Sequence, residues 1–315
     1  MLFAQHLQIL AIEEAPALVP ELEALVALAE TGSMERAASG LYLTPSALTR
    51  RIQRLEAELG IVLIDRRFKP PKLTQAGFQV LEKGRAILSS VSDLKSSAGG
   101  SRTPAGPFRL GLSYAIAQPD IGEVIVELGK QFPFLQPNIS NDISSELLAQ
   151  LRLGKLDGAV VVLPKEMAVP HDLEGVTLRQ EQMQPVEGRS AGSRRYTKCP
   201  EFYRRSWILN PAGCLVREEI KNRVERLGAP LGVAAELHSP GLQLSLIAGN
   251  VGVGMLRTSF VRTHPLRSRL RVIEHPNFKL SIRVAFFRGR YLGPREKVAM
   301  ELQRMLMKHF EETST

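Results

Sequence analysis

The stretch LEALVALAETGSMERAASGLYLTPSALTRRIQRLEAELGIVLIDRRFKPPKLTQAG, residues 22–77, holds three helical periods, two sharp breaks and a hairpin. Apolar residues recur three and four apart between Glu21 and Gly60, with breaks at Thr31-Gly32-Ser33 and Leu43-Thr44-Pro45, so three short helices are predicted. The first, near 20–31, offers Leu22, Leu25, Val26 and Leu28 to a core and stops at Gly32, which accepts a left-handed cap. Ser33 N-caps the second, through Ala37, Ala38 and Leu41. Thr44 N-caps the third, with Pro45 at the first helical position, where its missing N–H costs nothing. That helix has the apolar face Leu48, Ile52, Leu55 and Leu59 and ends at Gly60. Residues 61–64 and Lys72-Leu73 flank the turn 67–71 as a small hairpin, a wing. Thr74 opens a longer helix to about Ser97, with an apolar stripe of Phe78, Leu81, Leu88, Val91 and Leu94. At 1.5 Å per residue the stripe belongs to a rod roughly 35 Å long, and a second copy of itself is the simplest partner for it.

Charge sharpens the reading. The net charge is +9, yet residues 1–35 carry six acidic groups and no Lys or Arg, while 36–72 carry eight basic and three acidic. A short helix, a tight turn, an arginine-rich helix and a basic hairpin form the winged helix-turn-helix arrangement. The third helix fits a major groove, its Thr44, Ser46 and Thr49 approaching base edges and Arg50, Arg51 and Arg54 reaching phosphates or guanine. Arg66, Arg67, Lys69 and Lys72 on the wing lie along flanking backbone, and Ser33, Arg36 and Pro45 complete the candidate contact set. No carboxylate is expected to compensate these cations. A second excess, eleven basic against two acidic between 257 and 297, reads as solvated surface.

The rest bounds the class. A chain of 315 residues holds two or three units. With 44% apolar residues and no uncharged apolar run of 18 or more, no membrane span is expected. The N-terminus lacks a basic n-region and carries Glu13 and Glu14 where a signal peptide would end, so a cytoplasmic protein is expected. Two cysteines, Cys199 and Cys214, are too few for a disulfide framework or a zinc site and are expected to be reduced thiols. After a hinge at 96–104, strands alternate with helices: strand 108–112, helix 121–132, strand 139–142, helix 145–153 and buried strand 159–163 make a βαβαβ unit with a parallel sheet. A strand at 206–209, helices at 214–227 and 239–249, strands at 252–256 and 281–287 and a helix at 294–310 follow. The expected division is 1–73 for the DNA-binding domain with an N-terminal extension, 74–104 for the linker helix and hinge, and 105–315 for the α/β half.

Residues 22–77 resemble, nearly position for position, the N-terminal domain of LysR-type transcriptional regulators; PFRLGLSYAIA, SSELLAQLRLGKLDGAVV and LSLIAGNVGVGML resemble, more loosely, segments of that family's sensing domain. The resemblance implies a homodimer through the linker helix, a homotetramer, and an α/β domain like a periplasmic binding protein. Its lobes would be about 105–170 with 266–315 and about 171–265, with crossings near 163–185 and 257–270. A small effector, anionic and of carboxylate type, is implied between the lobes, near Ser113, Tyr114, Ser144, His238 and Ser239, where strand ends and helix N-termini favour anions. Ser144 reads equally well as an N-cap, and His238 as a core or surface residue. The cluster Arg189, Arg194, Arg195, Lys198, Arg204 and Arg205 reads as a solvated loop rather than an anion-gripping wall.

Three departures stand out: Pro45 where the family has a base-reading Gln, Asn250 where it has Gly in a left-handed turn, and Arg257 where a Pro follows the late strand. The first moves base readout to Ser46, Thr49 and Arg50. Asn tolerates the same left-handed turn. Catalysis is not expected: GLSYA is no nucleophile elbow, GNVGVG lacks the order of a dinucleotide site, and HExxH and CxxC are absent, so no metal or cofactor is expected. Two alternatives remain within DNA binding. One is redox sensing by Cys199 and Cys214, with Lys198 and Arg205 lowering a thiol pKa. The other is a non-specific architectural protein, for which a 200-residue α/β half has no use.

Overall fold

A computed structural model describes residues 18–98, 104–117, 119–191, 202, 204–275, 278–290 and 292–312. The N-terminal 17 residues and Cys199 lie outside these, as do Arg194, Arg195 and Lys198. The chain divides near residue 102 into two compact units.

In the first unit α1 (Leu18–Thr31), α2 (Met34–Gly40) and α3 (Pro45–Leu59) close on one core, with Leu22, Leu25, Leu28, Ala37, Ala38, Leu48, Ile52 and Leu55 buried. Both N-caps form as the sequence predicts: Ser33 Oγ accepts from the Arg36 amide at 3.4 Å and Thr44 Oγ1 from the Ala47 amide at 3.2 Å. Gly32 and Gly60 hold φ of +64° and +66°, the left-handed region that favours glycine. Leu59 departs from its assigned core role: it is 40% exposed at the C-terminal end of α3. The wing is shorter than 61–64 suggested. Strand β1 (Ile64–Asp65) pairs antiparallel with β2 (Lys72–Leu73), Ile64 facing Leu73, while Ile61 and Val62 stay exposed.

Helix α4 (Gln75–Ala98) follows. Its stripe splits in two. Leu81 is buried against the three-helix core and Val80 and Leu88 pack beside it, whereas Ile87 and Leu94 are exposed, Leu94 by 70%. Phe78, also exposed, sits nine residues before Ile87, two and a half turns away and so on the opposite side. The outward strip of α4 is therefore Ile87, half-buried Val91 and Leu94, narrower than the five-residue stripe.

The second unit is a continuous mixed sheet whose strands lie in the order Leu135–Asp142, Gly106–Ser113, Gly158–Pro164, Leu280–Arg288, Glu174–Gly188, Val253–Arg257, Trp207–Leu209 and Val233–Glu236, with Leu270–Val272 on Glu174–Gly188. Its first lobe has β3 (Gly106–Ser113), β4 (Leu135–Asp142) and β5 (Gly158–Pro164) parallel, as the βαβαβ pattern requires, with α5 (Pro119–Gln131) and α6 (Ser144–Arg152) as crossovers. The long strand β6 (Glu174–Gly188), anticipated only as a crossing near 163–185 that the resemblance implies, runs antiparallel to β11 (Leu280–Arg288) and then to β9 (Val253–Arg257). Met183 faces Leu280 in one ladder and Arg257 in the next, so the handover between lobes falls there rather than at residue 170.

The second lobe adds β7 (Trp207–Leu209), α7 (Leu215–Arg226), β8 (Val233–Glu236), α8 (Pro240–Ala248), α9 (Thr258–Thr263) and β10 (Leu270–Val272). Because β10 pairs with Val186–Gly188 and Leu270 packs with Ile208, Leu244 and Ile247, this lobe extends beyond residue 265. Helix α10 (Arg295–Glu312) closes the chain. Asn250 takes φ +61° and its Nδ2 donates to Ser190 Oγ at 2.6 Å, so the glycine-to-asparagine departure leaves the left-handed turn in place.

Candidate nucleic-acid interface and effector cleft

With Leu48, Ile52 and Leu55 turned inward, the 3.6-residue period fixes what α3 presents outward: Ser46, Thr49, Arg50, Gln53 and Ala57 lie along one strip. Ser46, Arg50, Gln53 and Ala57 are exposed and Thr49 is half-buried. Two of the hydroxyls are engaged locally. Thr49 Oγ1 donates to the Pro45 carbonyl at 2.9 Å, and Thr44 Oγ1 lies 3.0 Å from Ser46 Oγ. Gln53, not named from the sequence, stands four residues after Thr49 and three after Arg50 on that strip, and this spacing was the signal that could have found it.

The basic set is less free than its composition implied. Arg54 Nε lies 3.5 Å from Glu21, a buried carboxylate on α1. Arg66 Nη2 pairs with Glu56 at 2.6 Å, and Glu56 Oε1 accepts the amides of Leu63 and Ile64 at 2.9 and 3.0 Å. Burial works to raise the Glu56 carboxyl, but Arg66 and those two amides outweigh it and hold it below its ordinary value. Arg67 forks onto Asp65 at 2.7 Å and holds that carboxyl down to about 2. Arg36 donates to the Thr31 carbonyl at 2.6 Å. The expectation that no carboxylate compensates these arginines is corrected at Arg54, Arg66 and Arg67, whose partners lie on other elements or, for Arg67, two residues away. Arg50, Arg51, Lys69 and Lys72 form no ion pair among the described residues. Lys72 Nζ sits 4.7 Å over the Phe68 ring, holding that cation at the wing tip. Ser33, Thr44 and Pro45 serve the helix starts.

In the second unit the proposed effector residues separate into two kinds. Ser113 and Ser144 are buried and engaged with each other at 3.4 Å, and Ser144 Oγ accepts the Val162 amide at 3.0 Å. Ser144 is thus no N-cap; Ile143 holds that position, and the serine ties α6 to β5. Tyr114 and His238 instead face one another across the lobes, ring centroids 4.4 Å apart. Burial first, and then Asp142, raise the Tyr114 phenol. Ser239 caps α8, accepting from the Leu242 amide at 3.3 Å. Ser145 Oγ donates across to the Gly213 carbonyl at 3.2 Å.

Arg257 reaches both lobes: it pairs with Glu181 at 2.9 Å and donates to the Ala115 carbonyl at 3.1 Å. Cys214, at the N-cap of α7, has a thiol pushed up by burial, against the lowering expected from nearby cations. Arg205 lies instead beside Glu187, at 3.4 Å.

A winged helix-turn-helix joined to a two-lobed α/β binding domain defines a ligand-responsive DNA-binding protein. The chain matches the family models "Bacterial regulatory helix-turn-helix protein, lysR family" over residues 20–78 and "LysR substrate binding domain" over 101–306. It belongs to the LysR family of DNA-binding transcriptional regulators. It is 27% identical over 266 residues to the HTH-type transcriptional regulator YofA of Bacillus velezensis, covering 84% of this chain and 90% of the relative. It is 36% identical over 149 residues to a hydrogen peroxide-inducible genes activator of Pectobacterium carotovorum, 47% of this chain and 49% of that one. The fold matches ArgP of Mycobacterium tuberculosis with a TM-score of 0.70 at 18% identity, covering 91% and 96% of the two chains.

Proposed function

We propose that the chain reads operator DNA with the α3 strip Ser46, Thr49, Arg50 and Gln53, and grips flanking phosphates with Arg51, Lys69 and Lys72. The observation that carries this reading is the outward face of α3, where polar readers alternate with an arginine that no carboxylate neutralises. Arg54, Arg66 and Arg67 hold the reading head in shape through Glu21, Glu56 and Asp65 and reach phosphate from there. Two heads are brought together through Ile87, Val91 and Leu94 of α4, and pairs of dimers form a tetramer. No helix among the described residues is long and apolar enough to cross a membrane, which accords with a cytoplasmic regulator. The family is one of regulators rather than enzymes, and nothing in the reading requires catalysis.

The effector binds between the lobes, where Tyr114, His238 and Ser239 meet the N-termini of α6 and α8. An anionic group there is held by helix dipoles and amides rather than by an arginine, since Arg257 and Arg217 are already paired with Glu181 and Glu236. A thiol raised by burial argues against Cys214 as a peroxide-reactive centre.

Selection of the full-length protein on a pool of random duplexes tests the reading. We expect enrichment of an inverted repeat whose half-sites lie about one helical turn, 10–10.5 base pairs, or a multiple apart. A pool that stays random after several rounds identifies an architectural binder instead.

A further inference from the structure

Seven of the eleven late basic residues sort in the structure into two groups. One turns inward: Arg257 meets Glu181, Arg271 meets Glu187, Arg288 meets Glu174, and Arg295 lies 3.2 Å from Asp157. The other turns outward. Arg262 on α9 and Arg267 and Arg269 in the short turn Pro265–Arg269 are exposed and form no ion pair among the described residues. Arg267 Nη1 donates to the Arg262 backbone carbonyl at 3.4 Å, which fixes the Arg267 guanidinium against the end of α9. The turn Arg189–Ala191, with exposed Arg189, packs on the same segment.

Among the described residues, the elements packed here bring no acid to this face. The elements packed on Pro265–Arg269 are α8, α9, β10 and the turn Arg189–Ala191, and none of them contains Asp or Glu. Glu187, opposite Arg271 in the β6–β10 ladder, is buried and already held by Arg205 and Arg271. Four like charges that form no ion pair among the described residues repel one another and project a positive potential into solvent, an arrangement suited to a polyanion.

We propose that Arg189, Arg262, Arg267 and Arg269 form a second DNA-contact surface, on the sensing domain, that grips the phosphodiester backbone without reading sequence. The inference rests on the DNA-binding reading above and adds to it a separate site. Guanidinium forks match phosphate oxygens two at a time, which lysine cannot do. The helix-turn-helix holds DNA in the same assembly at high effective concentration, so even a weak phosphate site is occupied. An acidic protein surface has no such tether.

The test uses the full-length chain and a fluorescent 60-base-pair duplex of random sequence, titrated between 50 and 200 mM salt. Each phosphate contact contributes about 0.9 to the slope of log affinity against log salt. The triple variant Arg262→Ala, Arg267→Ala, Arg269→Ala is expected to flatten that slope by about 2 to 3 per chain, so that it loses at least about 10-fold less affinity over this range than the wild type. The corresponding triple lysine variant, which keeps the charge, retains most of the slope and controls for folding. An unchanged slope in the alanine variant overturns the proposal. So does a variant that binds DNA normally but fails to support transcription by purified RNA polymerase, which assigns the face to an acidic protein. Wild-type protein that ignores the duplex at 50 mM salt sinks the DNA reading itself, an outcome recognised without any variant.

Discussion

Replacing Arg50 and Arg51 together with alanine is expected to weaken DNA binding by about 10²–10³-fold at moderate salt, with no matching loss of thermal stability. Neither guanidinium makes an ion pair among the described residues, and Arg50 stands in the middle of the outward strip of α3. A dimer loses four such groups, each contributing on the order of 1 kcal/mol through phosphate or base contact. The folded protein loses the exposed Arg50 and the half-buried Arg51, neither of them ion-paired among the described residues, so stability shifts by no more than about 0.5 kcal/mol. Arg54→Ala is a poorer test, because it also strands the buried Glu21 carboxylate. Anisotropy titrations beside a melting curve check the pair; a double variant that binds as tightly as the wild type removes α3 from the interface.

Gly77→Ala should have the largest effect on the fold. A Cβ at Gly77 would run into the Leu63 carbonyl oxygen and come within 3.1 Å of Leu73 Cδ2. That carbonyl is the one that accepts the Thr74 amide at 2.9 Å, pinning the start of α4 to the strand before the wing. Backbone cannot yield as a side-chain tip does, so α4 must lift from the wing at a cost of about 2–4 kcal/mol, roughly 10 °C or more in the melting of a unit this size. The single tryptophan, Trp207, is in the second lobe. Circular dichroism at 222 nm should therefore lose the share of its helical signal that comes from α1–α4 early, while Trp207 fluorescence melts as in the wild type. Coincident, unshifted transitions would show that the α4–wing junction absorbs the methyl.

The first unit was legible because its signals are local. Ser33, Thr44, Pro45 and Gly60 punctuate helices whose apolar positions repeat, so core and recognition face separate by arithmetic. What escaped is non-local. Glu21 and Glu56 neutralise Arg54 and Arg66 from other elements, and no sequence period records such a pairing. Strand β6 was reached only by family likeness, as a crossing near 163–185, because EGVTLRQEQMQPVEG has only a few apolar residues. It is a strand because β11 and β9 hydrogen-bond to it, and its polar side chains belong to the crossing between lobes. Ser144 was assigned to the effector or a cap because it opens a helix; its burial and its bond to Val162 depend on β5 lying beneath. Tyr114 and His238, 124 residues apart in the chain, meet only through the sheet order, and were named by family likeness rather than by any pattern of their own.

The central claim is that paired copies of α3 and the wing lie against one face of duplex DNA. Hydroxyl-radical footprinting of the full-length protein on a duplex recovered by selection tests it most directly. Two protected patches are expected on each strand, their centres about 10 base pairs or a multiple apart, both weakened by Arg50→Ala. A single patch, or even protection along the whole fragment that Arg50→Ala leaves unchanged, would contradict it.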